Sequence, residues 1–170
     1  STDILKEGGS TGSTSPPTRV LHATPSSGNW STTDASKVTT SFNVVTDDLI
    51  VVVAGSAQGG THAGVTPVAS GGSVTWTSRV AVGTGTGLCG DWIWTGVVGA
   101  TANNITVTLD RPTTAITEWG MSATVWRNHG GVGTIYSGTN GAVVVPQLTE
   151  TCSANSAIQG LVVDWWCSDP

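Results

Sequence analysis

At 170 residues the chain has the length of one domain that can bury a real core without staples, and two domains would each be cramped. It carries 6 Lys and Arg against 11 Asp and Glu, a net charge of −5, and the cations stand singly, so the clustered positive charge that nucleic acid or an anionic membrane surface requires is missing. Charged residues make up 10% of the chain where a soluble domain ordinarily has about a quarter; Thr, Ser, Asn and Gly solvate the surface instead, with little repulsion to keep copies apart.

Residues 1–18, STDILKEGGSTGSTSPPT, lack the apolar stretch behind a positive end that marks a secretory signal. They cannot build a core and are expected to form an extended N-terminal arm, with Ile4 and Leu5 as its assembly contacts on a neighbouring subunit or lattice. The domain proper is expected over 19–170. Glycine and proline interrupt nearly every window, and no stretch holds apolar residues at three-and-four spacing long enough for a helix.

Strands are expected at 38–45, 49–54, 74–82, 91–98, 104–109, 118–126, 142–149 and 157–166. The turns between them fall at Thr46-Asp47-Asp48, Ser70-Gly71-Gly72-Ser73, 83–87, Ala102-Asn103-Asn104, Asp110-Arg111-Pro112, Asn128-His129-Gly130-Gly131 and Asn140-Gly141. Period two predicts Ile105, Val107 and Leu109 inward with threonines outward, and Trp119, Met121, Ala123 and Val125 on the more apolar face of their strand. In Cys89-Gly90-Asp91-Trp92-Ile93-Trp94, the two tryptophans share one face and Ile93 takes the other, so both faces hold something bulky and apolar. Eight such strands without covering helices predict an all-β, antiparallel two-sheet sandwich, jelly-roll-like or immunoglobulin-like. Eight tryptophans against one Phe and one Tyr supply nearly all the aromatic packing. Each indole, once buried, contributes about 4–6 kcal/mol before entropy.

Residues 85–90 match G-x-G-x-x-G, but that loop cradles a pyrophosphate only ahead of a helix, and here a strand follows, so no cofactor is expected. No G-x-S-x-G elbow occurs, and His22, His62 and His129 read as loop histidines rather than bases. Asp47-Asp48 reads as a solvating turn. Cys89, Cys152 and Cys167 form no CxxC pair, are not spaced for a metal, and are expected as free thiols. Tryptophans that stack on sugars are the binding alternative. Trp165 and Trp166, being consecutive, face opposite sides, which makes them the candidate glycan or subunit contact.

Five phrases in order carry a family resemblance: DDLIVVVAGSA (47–57), VTPVASGGSVTWTSR (65–79), CGDWIWTGVVGATANNITVTL (89–109), WGMSATVWRNHGGVG (119–133) and ANSAIQGLVVDWW (154–166). Together they resemble the β-sandwich modules of minor tail and other virion structural proteins of actinobacterial tailed phages. In that family a Gly-Asp opens a Leu/Val-rich strand, a Trp-Thr pair follows a glycine loop, and a late strand ends in Asp-Trp. Here Asp47 stands in the glycine's place, and Trp166 follows Asp164-Trp165 where a smaller polar residue is usual.

The resemblance implies a non-enzymatic component of the phage particle, assembled in the host cytoplasm, as capsid decoration or tail accessory. Its implied partners are other virion proteins and copies of itself, as a homo-oligomer or on a lattice. Members often continue past the Asp-Trp strand, so this chain is expected to be a short version or a fragment. The alternative reading is a carbohydrate-binding module that adheres to host-surface glycan.

Overall fold

The computed structural model describes residues 2–3, 18–24, 30–31, 34–56, 65–83, 90–111, 119–132 and 162–163. Among them are thirteen strands and no helix: β1 (Thr2–Asp3), β2 (Thr18–Ala23), β3 (Trp30–Ser31), β4 (Ser36–Val38), β5 (Phe42–Val44), β6 (Leu49–Ser56), β7 (Val68–Ala69), β8 (Val74–Gly83), β9 (Gly90–Val98), β10 (Ala102–Ile105), β11 (Val107–Asp110), β12 (Trp119–Arg127) and β13 (Val162–Val163). Every pairing between them is antiparallel.

The larger sheet runs β2-β12-β6-β9-β8, with β3 also on β12. Its centre is β6, whose sequence LIVVVAGS is rich in β-branched residues and apolar on both faces, the signature of a strand covered on two sides. Val52 stands opposite Trp94 on one side and Ala123 on the other, which places Ile50, Val52, Ala54, Trp92, Trp94, Trp119, Met121, Ala123 and Val125 on one face. The facing layer consists of β4-β11-β7 and the pair β5-β10. Phe42, Val44, Ile105, Val107 and Leu109 from that layer complete a single buried cluster with the larger sheet's inner face. The fold is therefore a two-layer antiparallel sandwich. Trp92 and Trp94 belong to its interior, and Ile93 joins Leu49, Val51 and Val80 in a second buried apolar cluster on the sheet's other face, with Val53, Trp126 and Val132 packed against it.

The expected strand 38–45 is divided into β4 and β5 because the chain leaves the ladder at Thr39, whose buried side chain takes over. Its N–H donates to Val107 O at 2.9 Å and its Oγ1 accepts from Val107 N at 3.0 Å. Similarly, β10 and β11 part at Thr106, and Ser70 fills the gap by donating its N–H to Thr106 O (2.9 Å) while its Oγ accepts from Thr106 N (2.8 Å). Ala102-Asn103-Asn104, expected as a turn, belongs to strand β10: it carries a bulge, with Asn104 at φ 54° and its N–H donated to Asn43 Oδ1 at 2.9 Å. The polar pair of asparagines serves that bulge. β2 and β7, which periodicity did not single out, add short strands at the ends of their sheets among the described residues.

Of the arm, Thr2 and Asp3 pair with Val163 and Val162. The expected strand 142–149, and 157–166 apart from Val162–Val163, lie outside the described residues.

Candidate functional site

Along the corner that joins β7 to β8, each the last strand of its sheet among the described residues, a shallow groove of about 400 Å³ is lined by Pro67, Val68, Ala69, Ser70, Gly71, Ser73, Val74 and Trp76. Its geometry follows from the corner Ser70-Gly71-Gly72-Ser73, where the chain steps from one layer to the other. Gly72 at φ 80° and Ser73 at φ 49° make the step, and the N–H groups of Gly99 and Ala100 each donate to Gly72 O at 3.0 Å. Trp76 emerges from β8 toward the inner face and is half-buried against the core. Its cross-strand partner is Gly96. A Cβ on Gly96 would stand 2.7 Å from Trp76 Cε3 and Cζ3, so the absent side chain is what lets the indole lie on the strand. Val68, 62% exposed, forms the opposite lip.

Among the described residues no charged side chain lines this groove, and the Ser70 hydroxyl already serves the Thr106 amide. What the groove offers is a fixed, half-exposed indole among small and apolar side chains, able to receive the C–H face of a sugar ring or an uncharged extended segment.

Ionic groups gather at a different place, the β5–β6 turn. Asp47 takes φ 67°, and Asp48, expected to solvate this turn, instead has its side chain 1% exposed. Its Oδ2 accepts from Val45 N at 2.9 Å, and Arg127 at the end of β12 donates from Nε to Oδ1 (2.8 Å) and from Nη2 to Oδ2 (2.9 Å). The hydrogen bond with Asp48 raises the Arg127 pKa further above its ordinary range, although burial works against it. Next along the chain, His129 Nε2 lies 2.8 Å from Asp47 O, and Gly131 N donates to His129 Nδ1 at 3.0 Å. This arrangement fastens a turn. Among the described residues no three His, Cys, Asp or Glu side chains converge as metal ligands.

A third polar feature lies inside. Lys37 on β4 is 1% exposed, with its Nζ 3.2 Å from Asp34 Oδ2 and 5.3 Å from the Trp119 ring centroid, while Trp119 Nε1 donates to Asp34 O at 3.1 Å. These contacts anchor the segment before β4 to β12.

Of the residues singled out from sequence, Ile4, Leu5, Trp165 and Trp166 lie outside the described residues, as do Cys89, Cys152, Cys167 and His62. His22, read as a loop histidine, is exposed on strand β2, because that segment pairs with β12 opposite Thr124. Trp76 and Lys37 were not singled out. The Trp-Thr phrase at 76–77 marks the first, but its pairing with Gly96 requires knowledge of the sheet.

Comparison with known protein families, curated proteins and solved structures finds no match to this chain.

Proposed function

We propose that the chain is a non-enzymatic structural module of a tailed-phage virion, assembling on the particle through its uncharged outer surfaces, as capsid decoration or tail accessory. One observation carries the reading: indoles and aliphatic side chains fill the interior on the inner face of the larger sheet, while exposed valines (Val20, Val38, Val45, Val68 and Val97) punctuate a surface otherwise rich in hydroxyls. Such a surface suits close packing against other subunits. The resemblance supports the same reading, since four of its five phrases coincide with the strands β6, β7–β8, β9–β11 and β12, the elements that build the sandwich. The partners are other virion proteins and copies of this chain. Antibody labelling of purified particles, with peptide mass spectrometry of the same sample, tests this: the chain is expected in stoichiometric amount on the particle surface, and its absence from particles whose genome encodes it contradicts the proposal.

The groove at Trp76 favours a second reading, a glycan contact that serves host adhesion. Adding soluble cell-wall glycan should then quench or shift tryptophan emission in the native chain and not in Trp76→Ala, and identical responses from the two proteins would dismiss this reading.

A further inference from the structure

We propose that β8, between the corner at Gly72 and the bulge at Arg79, receives an extended, uncharged peptide segment of a partner protein as an added strand, whose alternate apolar side chains enter the groove beside Trp76. The register of β8 fixes which backbone groups are available. Gly99 N donates to Ser73 O at 3.2 Å, and the amide before it on β9, Val98 N, faces the other way and donates to Asp48 O at 3.0 Å. Successive residues of an antiparallel ladder turn their backbone groups to opposite neighbours, so Ser73, Thr75 and Thr77 address Gly99, Val97 and Thr95. Val74, Trp76 and Ser78 turn their N–H and C=O groups away from β9, to the side where no further strand follows among the described residues.

The side chains follow the same alternation. Val74 and Trp76 point inward, packed against the core cluster, and both line the groove, whereas Thr75 and Thr77 are exposed on the sheet's other face. A residue placed opposite Trp76 in a new antiparallel pair exchanges two hydrogen bonds with it and sends its side chain the same way, into the groove that Trp76 and Val68 flank. Its neighbours along the segment fall beside the Thr75 and Thr77 hydroxyls. The segment that fits therefore alternates aliphatic and hydroxyl side chains. It is uncharged, because among the described residues the groove holds no ionic group to meet a desolvated charge. The fold sets both ends of the dock: Gly72, at φ 80°, takes the chain to the other layer, and at Arg79 the bulge breaks the register and adds a cation. The β8 of a second copy, laid against this one about Trp76, would set two indoles in one groove, so the slimmer aliphatic segment is the better fit. The inference does not depend on the virion reading, since the chemistry of the segment defines the partner.

The test titrates the uncharged peptide acetyl-Thr-Val-Thr-Val-Thr-amide into the whole chain, up to about 1 mM, and follows backbone amides by NMR and hydrogen exchange. The amides of Val74, Trp76 and Ser78 should exchange readily in the chain alone and gain about fivefold protection or more with peptide, while those of Thr75 and Thr77, bonded to β9 throughout, stay unchanged. Acetyl-Thr-Pro-Thr-Pro-Thr-amide, of the same length but without those N–H groups, should give no protection. Protection of Val74, Trp76 and Ser78 in the dilute chain alone would show the edge already paired, and protection that grows with protein concentration would make a second copy the occupant; either overturns the proposal. So does protection that is uniform along β8 or absent at about 1 mM peptide, or a response to soluble cell-wall glycan and not to the peptide.

Discussion

The inner-face tryptophans differ in what each is fixed by. Trp94, 2% exposed and opposite Val52, is held by the core on all sides, so Trp94→Ala should cost about 3–5 kcal/mol in denaturant unfolding, the range for removing a large buried aromatic. Trp76 is held by a vacancy. Gly96→Val would place a side chain where the indole lies, and the expected outcome is a loss of about 1–3 kcal/mol together with a red-shifted emission as Trp76 is displaced toward solvent. A Gly96→Val protein as stable as the parent, with unshifted emission, would show that the close packing of Trp76 on β9 is not what fixes it. At the ionic corner, Arg127→Gln leaves the buried Asp48 carboxylate with the Val45 N–H. Because the guanidinium is 40% exposed and screened, the expected cost is modest, about 1–2 kcal/mol. The sign of the pH dependence follows from the raised Arg127 value: its contribution is fully present below the ordinary guanidinium range and is lost only above it. The melting-temperature gap between parent and Arg127→Gln should therefore be the same at about pH 7 and about pH 9.

At the scale of elements, β8, the last strand of its sheet among the described residues, shows how a long strand at such a position is kept from pairing along its whole length with another chain. Ser78 stands opposite Trp94 and Val80 opposite Ile93, so Arg79 is an extra residue. This bulge shifts the alternation and puts Val80 on the outer face, beside Ile93, while Arg79 Nε donates to Thr95 Oγ1 at 2.7 Å. A bulge and a cation are both edge-protecting features. Deleting Arg79 should keep the pairing on either side, restore a regular edge, and produce concentration-dependent association in sedimentation velocity; a deletion protein that stays in the parent's association state would contradict that role. Much of the element level was legible in the sequence, for a physical reason: where a strand covers one side of a core, period two is enforced at every residue. Ile105, Val107 and Leu109, and likewise Trp119, Met121, Ala123 and Val125, all face the interior as their spacing predicts. What was not legible depends on partners distant in sequence. The Arg79 bulge is defined only against β9, the burial of Lys37 only against Trp119, and Asp48 reads as a solvated turn residue until Arg127, 79 positions on, is brought to it. Ala102-Asn103-Asn104 misled because asparagines that favour left-handed backbone serve a bulge as readily as a turn.

At the scale of the whole molecule, the apolar side chains of the described residues are concentrated between two layers and in a second buried cluster on the other face of the larger sheet, and the candidate binding feature sits beside the last described strand. This division of labour is the central claim: the buried indoles of Trp92, Trp94 and Trp119 are structural, and contact is left to the half-exposed Trp76 at the sheet's end and to the uncharged exterior. It is tested most directly by fluorine NMR of chain labelled with fluorotryptophan, with each position assigned by single Trp→Phe substitution, in the presence of a soluble paramagnetic quencher. The account predicts that Trp92, Trp94 and Trp119 stay sharp while Trp76 broadens. Broadening of Trp92 and Trp94 to the same degree as Trp76 would mean that the quencher reaches between the layers, and would contradict it.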